Sequence, residues 1–204
     1  MAKLGSKQNN MSNSPYLIAI TGGIGSGKSQ VANFLKSVGK MVISCDEITP
    51  SMYLNPLVKQ KLAQIFPQAY NPKDDLIDKS IVAKTVFSDK QKLKELTDFL
   101  APQILQECLS QAKKIDGMVF IEVPLLFEFG AEKEFDKVIV VTRNLNDRIQ
   151  SVMTRNNLKK QEVLERISSQ FDYDKADLSN YIVVENNSSL QDLNSQVEKL
   201  LKTL

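Results

Sequence analysis

Apolar residues fall along this chain in short runs that alternate with amphipathic stripes. YLIAIT (16–21) is a β-rich run that ends on glycines. SQVANFLKSVG (29–39) follows at helical spacing, with Val31, Phe34, Leu35 and Val38 on one face and Gly39 suited to close the helix. MVISC (41–45) predicts a second buried strand that ends at Asp46, so this region forms a βαβ unit with the glycine loop after its first strand. Residues 49–114 are largely helical in pattern, punctuated by Pro56, Pro67, Pro72 and Pro102. MVFIEVP (118–124) and KVIVVT (137–142) return to strand. Residues 145–170 predict charged helices with a break near NNLKK, and YIVVE (181–185) a last strand. SLQDLNSQVEKLLKTL (189–204) predicts a closing helix, with Leu190, Leu193, Val197, Leu200, Leu201 and Leu204 in one stripe. Five apolar strands separated by helices predict an α/β fold, a parallel sheet covered on both faces.

Composition narrows the chemistry. Lys and Arg number 26 against 24 Asp and Glu, so the +2 net charge gives no reason to expect nucleic acid or an anionic membrane as partner. Histidine is absent, which excludes a Ser-His-Asp or Cys-His unit and any His-ligated metal. Acid–base work must fall to carboxylates, lysine or water. The two cysteines, Cys45 and Cys108, lie far apart in sequence and outside any CxxC pair, and read as buried reduced thiols. The polar leader 1–14 lacks an apolar signal region and predicts a flexible tail on a cytoplasmic protein. The longest apolar run, MVFIEVPLLF, is too short to span a bilayer and is interrupted by Glu122 and Pro124. A monomer and a small homo-oligomer both fit this surface.

Gly22-Gly23-Ile24-Gly25-Ser26-Gly27-Lys28-Ser29 satisfies G-x-x-x-x-G-K-[ST] in full, and its context is the required one, a strand before and a helix after. Small residues let the backbone wrap a phosphate, and the helix start offers free N–H groups and a positive dipole end. Lys28 reaches toward the β- and γ-phosphates of a nucleotide, and the Ser29 hydroxyl toward Mg²⁺. Gln30 carries less information and reads as a surface residue. A dinucleotide fingerprint fails, because Lys28 stands where that pattern needs Gly or Ala. A GTPase would show N-K-x-D, and this chain has none.

Three further features bear on the reaction. Asp46 sits at a strand end, where ligands of open parallel sheets bind. It reads equally as a carboxylate facing an acceptor hydroxyl or as a helix cap. Glu122, inside a strand, reads as a water-mediated partner of Mg²⁺ or as a strand residue facing a polar pocket. Leu125 to Phe127 line an acceptor site or complete the core, and core is the default. Arg148 and Arg155 are two helical turns apart and share a face, as a closing flap or as a solvated helix. These features favour a small-molecule kinase without naming its acceptor.

The order and spacing of ITGGIGSGKS, VISCD, VPLLFE, MTRNNLKKQEVLERISSQ and VVENNSSLQDLNSQVEKLL resemble the dephospho-CoA kinase family over residues 16–204. The resemblance implies a P-loop NTPase-type core with a helical acceptor-binding insertion at about 50–115 and a small lid at about 143–170, all within one kinase domain over 15–204. It implies transfer of the ATP γ-phosphoryl group, with Mg²⁺, to the ribose 3′-hydroxyl of dephospho-CoA. On this pattern Lys28 and Asp46 are catalytic, Arg155 is a lid arginine near the phosphates, and Asn186 lies near the nucleotide base. Gln170 closes the lid motif. Gly23 to Gln30 with Arg148 hold the nucleotide, and Leu125, Phe127 and Lys79 contribute to the acceptor site. The chain departs from the family pattern at Ser44-Cys45-Asp46, where Asp-Ala-Asp is usual, and at Pro50, Ala101, Ser151 and Lys79. Arg148 lies one turn before Ser151 and substitutes for the first lid arginine on this reading. A different acceptor, or nucleotide binding with weak catalysis, is the alternative these departures leave open.

Overall fold

The computed structural model of the protein describes residues 14–204. The predicted tail lies outside the described residues, apart from Ser14. The chain runs β1 (Tyr16–Thr21), α1 (Lys28–Ser37), β2 (Met41–Ser44), α2 (Cys45–Met52) and α3 (Pro56–Ile65), then a short hairpin of β3 (Tyr70–Asn71) and β4 (Leu76–Ile77). It continues through α4 (Lys79–Ser88), α5 (Lys90–Ala112), β5 (Met118–Glu122), β6 (Lys137–Thr142), α6 (Leu145–Asn156) and α7 (Lys160–Ser168), and ends with β7 (Ile182–Glu185) and α8 (Leu190–Leu201).

The five long strands form one parallel sheet in the order β2-β5-β1-β6-β7, as the apolar runs predict. Alternation sends successive side chains of β1 to opposite faces. Leu17 and Ala19 join the core under α2, α3 and α5, while Ile18 and Ile20 join the core beneath α1 and α8. Both faces are therefore buried, and the central strands read as unbroken apolar runs. A third, smaller cluster of Ile149, Val152 and Val163 holds α6 against α7, and Ile24 of the glycine loop packs into it.

Several expectations shift. MVISC is an edge strand, with Met41 exposed and Val42 and Ile43 half-buried, because only β5 flanks β2. Cys45 leaves the strand and opens α2. Leu190 is the first residue of α8 and stands out of the apolar stripe, exposed before the helix reaches the sheet. Val38, the residue that caps the C-terminus of α1, is also exposed. Pro56 opens α3 behind an Asn55 cap that accepts from Leu57 and Val58, as proline at a helix start should. Pro102 does not punctuate: it lies inside the 23-residue α5. Its missing N–H weakens the ladder there, and the Gln103 side-chain amide donates to the Phe99 carbonyl at 2.8 Å. The hairpin β3–β4 had no periodic signal, since two-residue strands are too short to show one.

Candidate active site

The glycine loop leaves β1 in the middle of the sheet and enters α1 at Lys28. Gly27 is the cap of that helix, in the left-handed region with φ 100° and no side-chain cap bond, so the first-turn N–H groups face the loop. Gly22 and Gly25 combine a left-handed backbone with crowding, since a methyl group there would meet the Val141 and Arg148 carbonyl oxygens. A methyl group on Gly27 would collide with the Asn186 amide, and one on Gly23 with the Arg148 guanidinium. The loop is thus packed from outside by β7 and α6, which leaves its concave side to a ligand.

Lys28 folds back on the loop, donating to the Gly22 carbonyl at 2.8 Å and the Gly23 carbonyl at 3.3 Å. Burial pushes its ammonium down to about 8; Glu122 and Asp46 oppose that shift, and Arg148 and Arg155 add to it. At pH 9 a free Lys28 is mostly neutral and regains a proton when a polyphosphate binds beside it. Calorimetry of ATP binding at pH 9, in two buffers of different ionisation enthalpy, should therefore read uptake of about one proton. At pH 7 the uptake should be near zero. Lys28→Arg, always charged, should abolish it at both pH values.

The Ser29 hydroxyl donates to Glu122 Oε1 at 2.8 Å. The Ser44 hydroxyl donates to Glu122 Oε2 at 3.1 Å. This follows from register: Glu122 is the Cα partner of Ile20 on one side and of Ser44 on the other. A hydroxyl and a carboxylate side by side are hard oxygen donors of the kind Mg²⁺ accepts when phosphate oxygens and water complete its shell. Among the described residues no cluster of three or more acidic, Cys or His side chains is placed to hold a metal alone. The donor set therefore fits a cation that arrives with phosphates.

Asp46 lies in the first turn of α2 with its carboxylate exposed. It takes no capping role: the cap residue is Ser44, without a side-chain bond to the helix. Asp46 instead lines a cavity of about 260 Å³ between α2, α5 and the segment after β5. Cys45, Tyr53, Leu100, Ala101, Pro102 and Leu125 are among the residues around it. One carboxylate at the edge of an otherwise mostly apolar cavity, within the field of Lys28, links the loop to a second binding space.

The structure places the other candidates as follows. Leu125 lines the cavity. Phe127 does not; its ring packs at a tilt against Phe171, Tyr173 and Tyr181 at centroid distances of 4.6, 5.8 and 5.0 Å. Lys79 is outside the cavity too. Its ammonium donates to the Pro50 carbonyl at 3.2 Å and lies 5.1 Å from the Tyr53 ring centre, so it stands behind a residue that lines the cavity. Arg148 and Arg155 occupy different settings despite their spacing. Arg148 is 3% exposed, donating to the Ile24 carbonyl at 3.1 Å and to Asp174 at 3.4 Å, which makes it an anchor of the loop. Arg155 is exposed near the end of α6, and its Nε donates to Asn156.

Sequence reasoning missed how the loop is held. Asn186, the residue after β7, donates to the Ser26 carbonyl at 2.8 Å and to Gln30 Oε1 at 2.9 Å, so Gln30 is a partner in holding the loop rather than a bystander. Gln170 accepts from the Ile24 N–H at 2.7 Å. These partners are 146 to 160 residues apart, beyond any local pattern. Ile24, read from the sequence as part of the nucleotide loop, packs into the apolar cluster of α6 and α7. The two cysteines also meet, with Sγ atoms 3.3 Å apart and both buried and free. The Cys108 contact and then burial hold the Cys45 thiol far above its ordinary range.

Comparison with known proteins decides what this arrangement belongs to. The dephospho-CoA kinase family model matches residues 16–192. The chain belongs to the dephospho-CoA kinase family. A dephospho-CoA kinase of Helicobacter pylori is 38% identical over 193 residues, covering 92% of this chain and 96% of that one. One from Thermus thermophilus is 34% identical over 191 residues, covering 93% and 92%. Among solved structures, a Thermus thermophilus protein superposes with a TM-score of 0.76 at 33% identity, over 94% of this chain and 99% of that one. The Campylobacter jejuni dephospho-CoA kinase gives 0.63 at 27% identity, over 91% and 95%. A shikimate kinase from Acinetobacter baumannii shares the fold alone, at 14% identity and a TM-score of 0.53. As a member of this family the chain is a kinase. No helix among the described residues is long and apolar enough to cross a membrane.

Proposed function

We propose that the protein transfers the γ-phosphoryl group of ATP to the ribose 3′-hydroxyl of dephospho-CoA, giving coenzyme A and ADP. One observation carries this reading: Asp46 faces the cavity of α2 and α5 while lying in the electric field of Lys28. That is the junction a phosphoryl transfer needs between donor and acceptor. The family match and the relatives' shared name support dephospho-CoA as acceptor.

In this reading the loop from Gly23 to Gln30 holds the donor phosphates through backbone N–H groups and the Lys28 ammonium. Ser29 would hold Mg²⁺ through its hydroxyl, with Glu122 positioned behind that hydroxyl, and a bound Mg²⁺ would neutralise charge on the phosphate oxygens. Asp46 accepts the hydrogen bond of the acceptor hydroxyl and aims its oxygen at the γ-phosphorus. Arg155 brings positive charge from α6 toward the transferred group, and Arg148 keeps the loop in shape behind it. Asn186 ties the loop to the end of β7 beside the nucleotide. The segment between β2 and β5 forms the acceptor-binding insertion, and α6 with α7 the lid. The cavity is smaller than the usual small-molecule pocket, so it receives one portion of the acceptor, with Leu125 on its wall.

The test is direct. Folded protein with ATP, Mg²⁺ and dephospho-CoA should yield ADP and coenzyme A in equal amounts, separated by chromatography. A folded protein that binds ATP but makes no coenzyme A would falsify the reading.

A further inference from the structure

Glu122 is 5% exposed, and among the described residues no cation lies within ion-pair distance of it. A buried carboxylate without a paired charge is costly and needs hydrogen bonds to both oxygens. Here the donors are two serine hydroxyls, one on each oxygen. Ser29 is the loop residue whose hydroxyl also faces the cation site. Ser44, itself 5% exposed, is not part of the loop at all. It stands where the family pattern has a carboxylate.

The two positions are linked by register. Residue 44 is the direct parallel partner of Glu122, so side chains there lie side by side on one face of the sheet. An aspartate at 44 would set two carboxylates against each other in a buried place, and one of them would be driven to its neutral form. A serine removes that conflict and supplies a donor. We propose that Ser44 is a positioning residue for the divalent cation: its hydroxyl locks the Glu122 carboxylate, and Glu122 in turn aims the Ser29 hydroxyl at the metal. This inference rests on the kinase reading of the site and assigns the cation its supporting residues.

Mn²⁺ serves as the probe, counted by electron paramagnetic resonance on the full chain with a non-hydrolysable ATP analogue and no acceptor. Ser44→Ala should weaken Mn²⁺ binding by about tenfold, the usual cost of removing an outer-shell partner. Ser44→Thr, which keeps the hydroxyl, should restore it to within about twofold. Glu122→Gln should weaken Mn²⁺ at least as much. In that background Ser44→Ala should add nothing, since the two act through one link. In turnover, the Mg²⁺ concentration for half-maximal rate should rise in Ser44→Ala, while the KM for dephospho-CoA stays in place. Thermal melts without metal show which variants fold. If Ser44→Ala does not, the Glu122→Gln and Ser44→Thr measurements read the same link. Unchanged Mn²⁺ affinity in folded Ser44→Ala or Glu122→Gln overturns the proposal, as does failure of Ser44→Thr to bind like the natural chain. Because no acceptor is present in the Mn²⁺ measurements, their outcomes are independent of whether dephospho-CoA is the substrate.

Discussion

Asp46→Asn should lower turnover with dephospho-CoA by about 10²- to 10⁴-fold, the range for losing a positioned acid–base group. Its ATP affinity should stay within about twofold, because Asp46 touches no part of the loop. The substitution suits the question because it keeps the shape of the side chain. Asp46 makes no hydrogen bond or ion pair with another described residue, so the amide leaves no partner unsatisfied. It is also exposed, and surface changes of this kind leave stability nearly unmoved. What changes is the acceptor end. An amide offers the acceptor hydroxyl a weaker partner and cannot take its proton. The expected signature is a fall in kcat with little change in the KM for ATP, read by steady-state kinetics and by calorimetry of ATP binding. A loss of less than tenfold would mean that Asp46 merely borders the cavity and that positioning by other groups supplies the rate.

The same residue shows what the sequence could and could not tell. Its place at the end of β2 was legible, because strand ends follow from apolar runs. Its partner space was not. The cavity depends on α5 passing over α2, with Ala101 and Pro102 turned toward Leu125, and no spacing along the chain encodes that crossing. Lys28 and Ser29 were legible in type and order, since the loop's chemistry is local. Their tuning was not, because Glu122 reaches Ser29 from 93 residues away. The arginines show the limit of helical periodicity. Positions 148 and 155 share a face, yet one sits against Gly23 and Ile24 and the other in solvent, because the loop covers only the first half of α6. Phe127 was read as acceptor wall or core from its apolar neighbours. It packs on the core, as the default had it, within an aromatic group completed by Phe171, Tyr173 and Tyr181, whose members come from beyond the lid. Local chemistry, in short runs, is readable. Which runs meet is decided by packing.

Lys28→Met should be the most damaging single change to function and among the least damaging to the fold. ATP affinity should fall by about 100-fold or more, and kcat with it, because the ammonium serves both the bound phosphates and the transferring group. Stability should move the other way. In the free protein the Lys28 ammonium is held down to about 8 chiefly by burial, so the folded state carries a penalty for keeping it charged. The sign follows from proton binding. Between about pH 8 and 10.5 the unfolded chain holds a proton that the folded chain has lost, so stability rises with pH across that window. Below about pH 8 both states are protonated and the full penalty stands. Methionine keeps the stem and removes the charge, so at pH 7 the variant should be more stable by on the order of 1 kcal/mol. That value is discounted because Lys28 keeps some contact with solvent and gives up its bonds to Gly22 and Gly23. The gain should shrink as pH rises toward 10.5, where the natural lysine is already neutral in the fold. Urea melts of both proteins at pH 7 and pH 10 measure it. A variant that is less stable at pH 7, with a deficit that does not depend on pH, would show that Lys28 holds the loop together rather than straining it for the sake of its ligand.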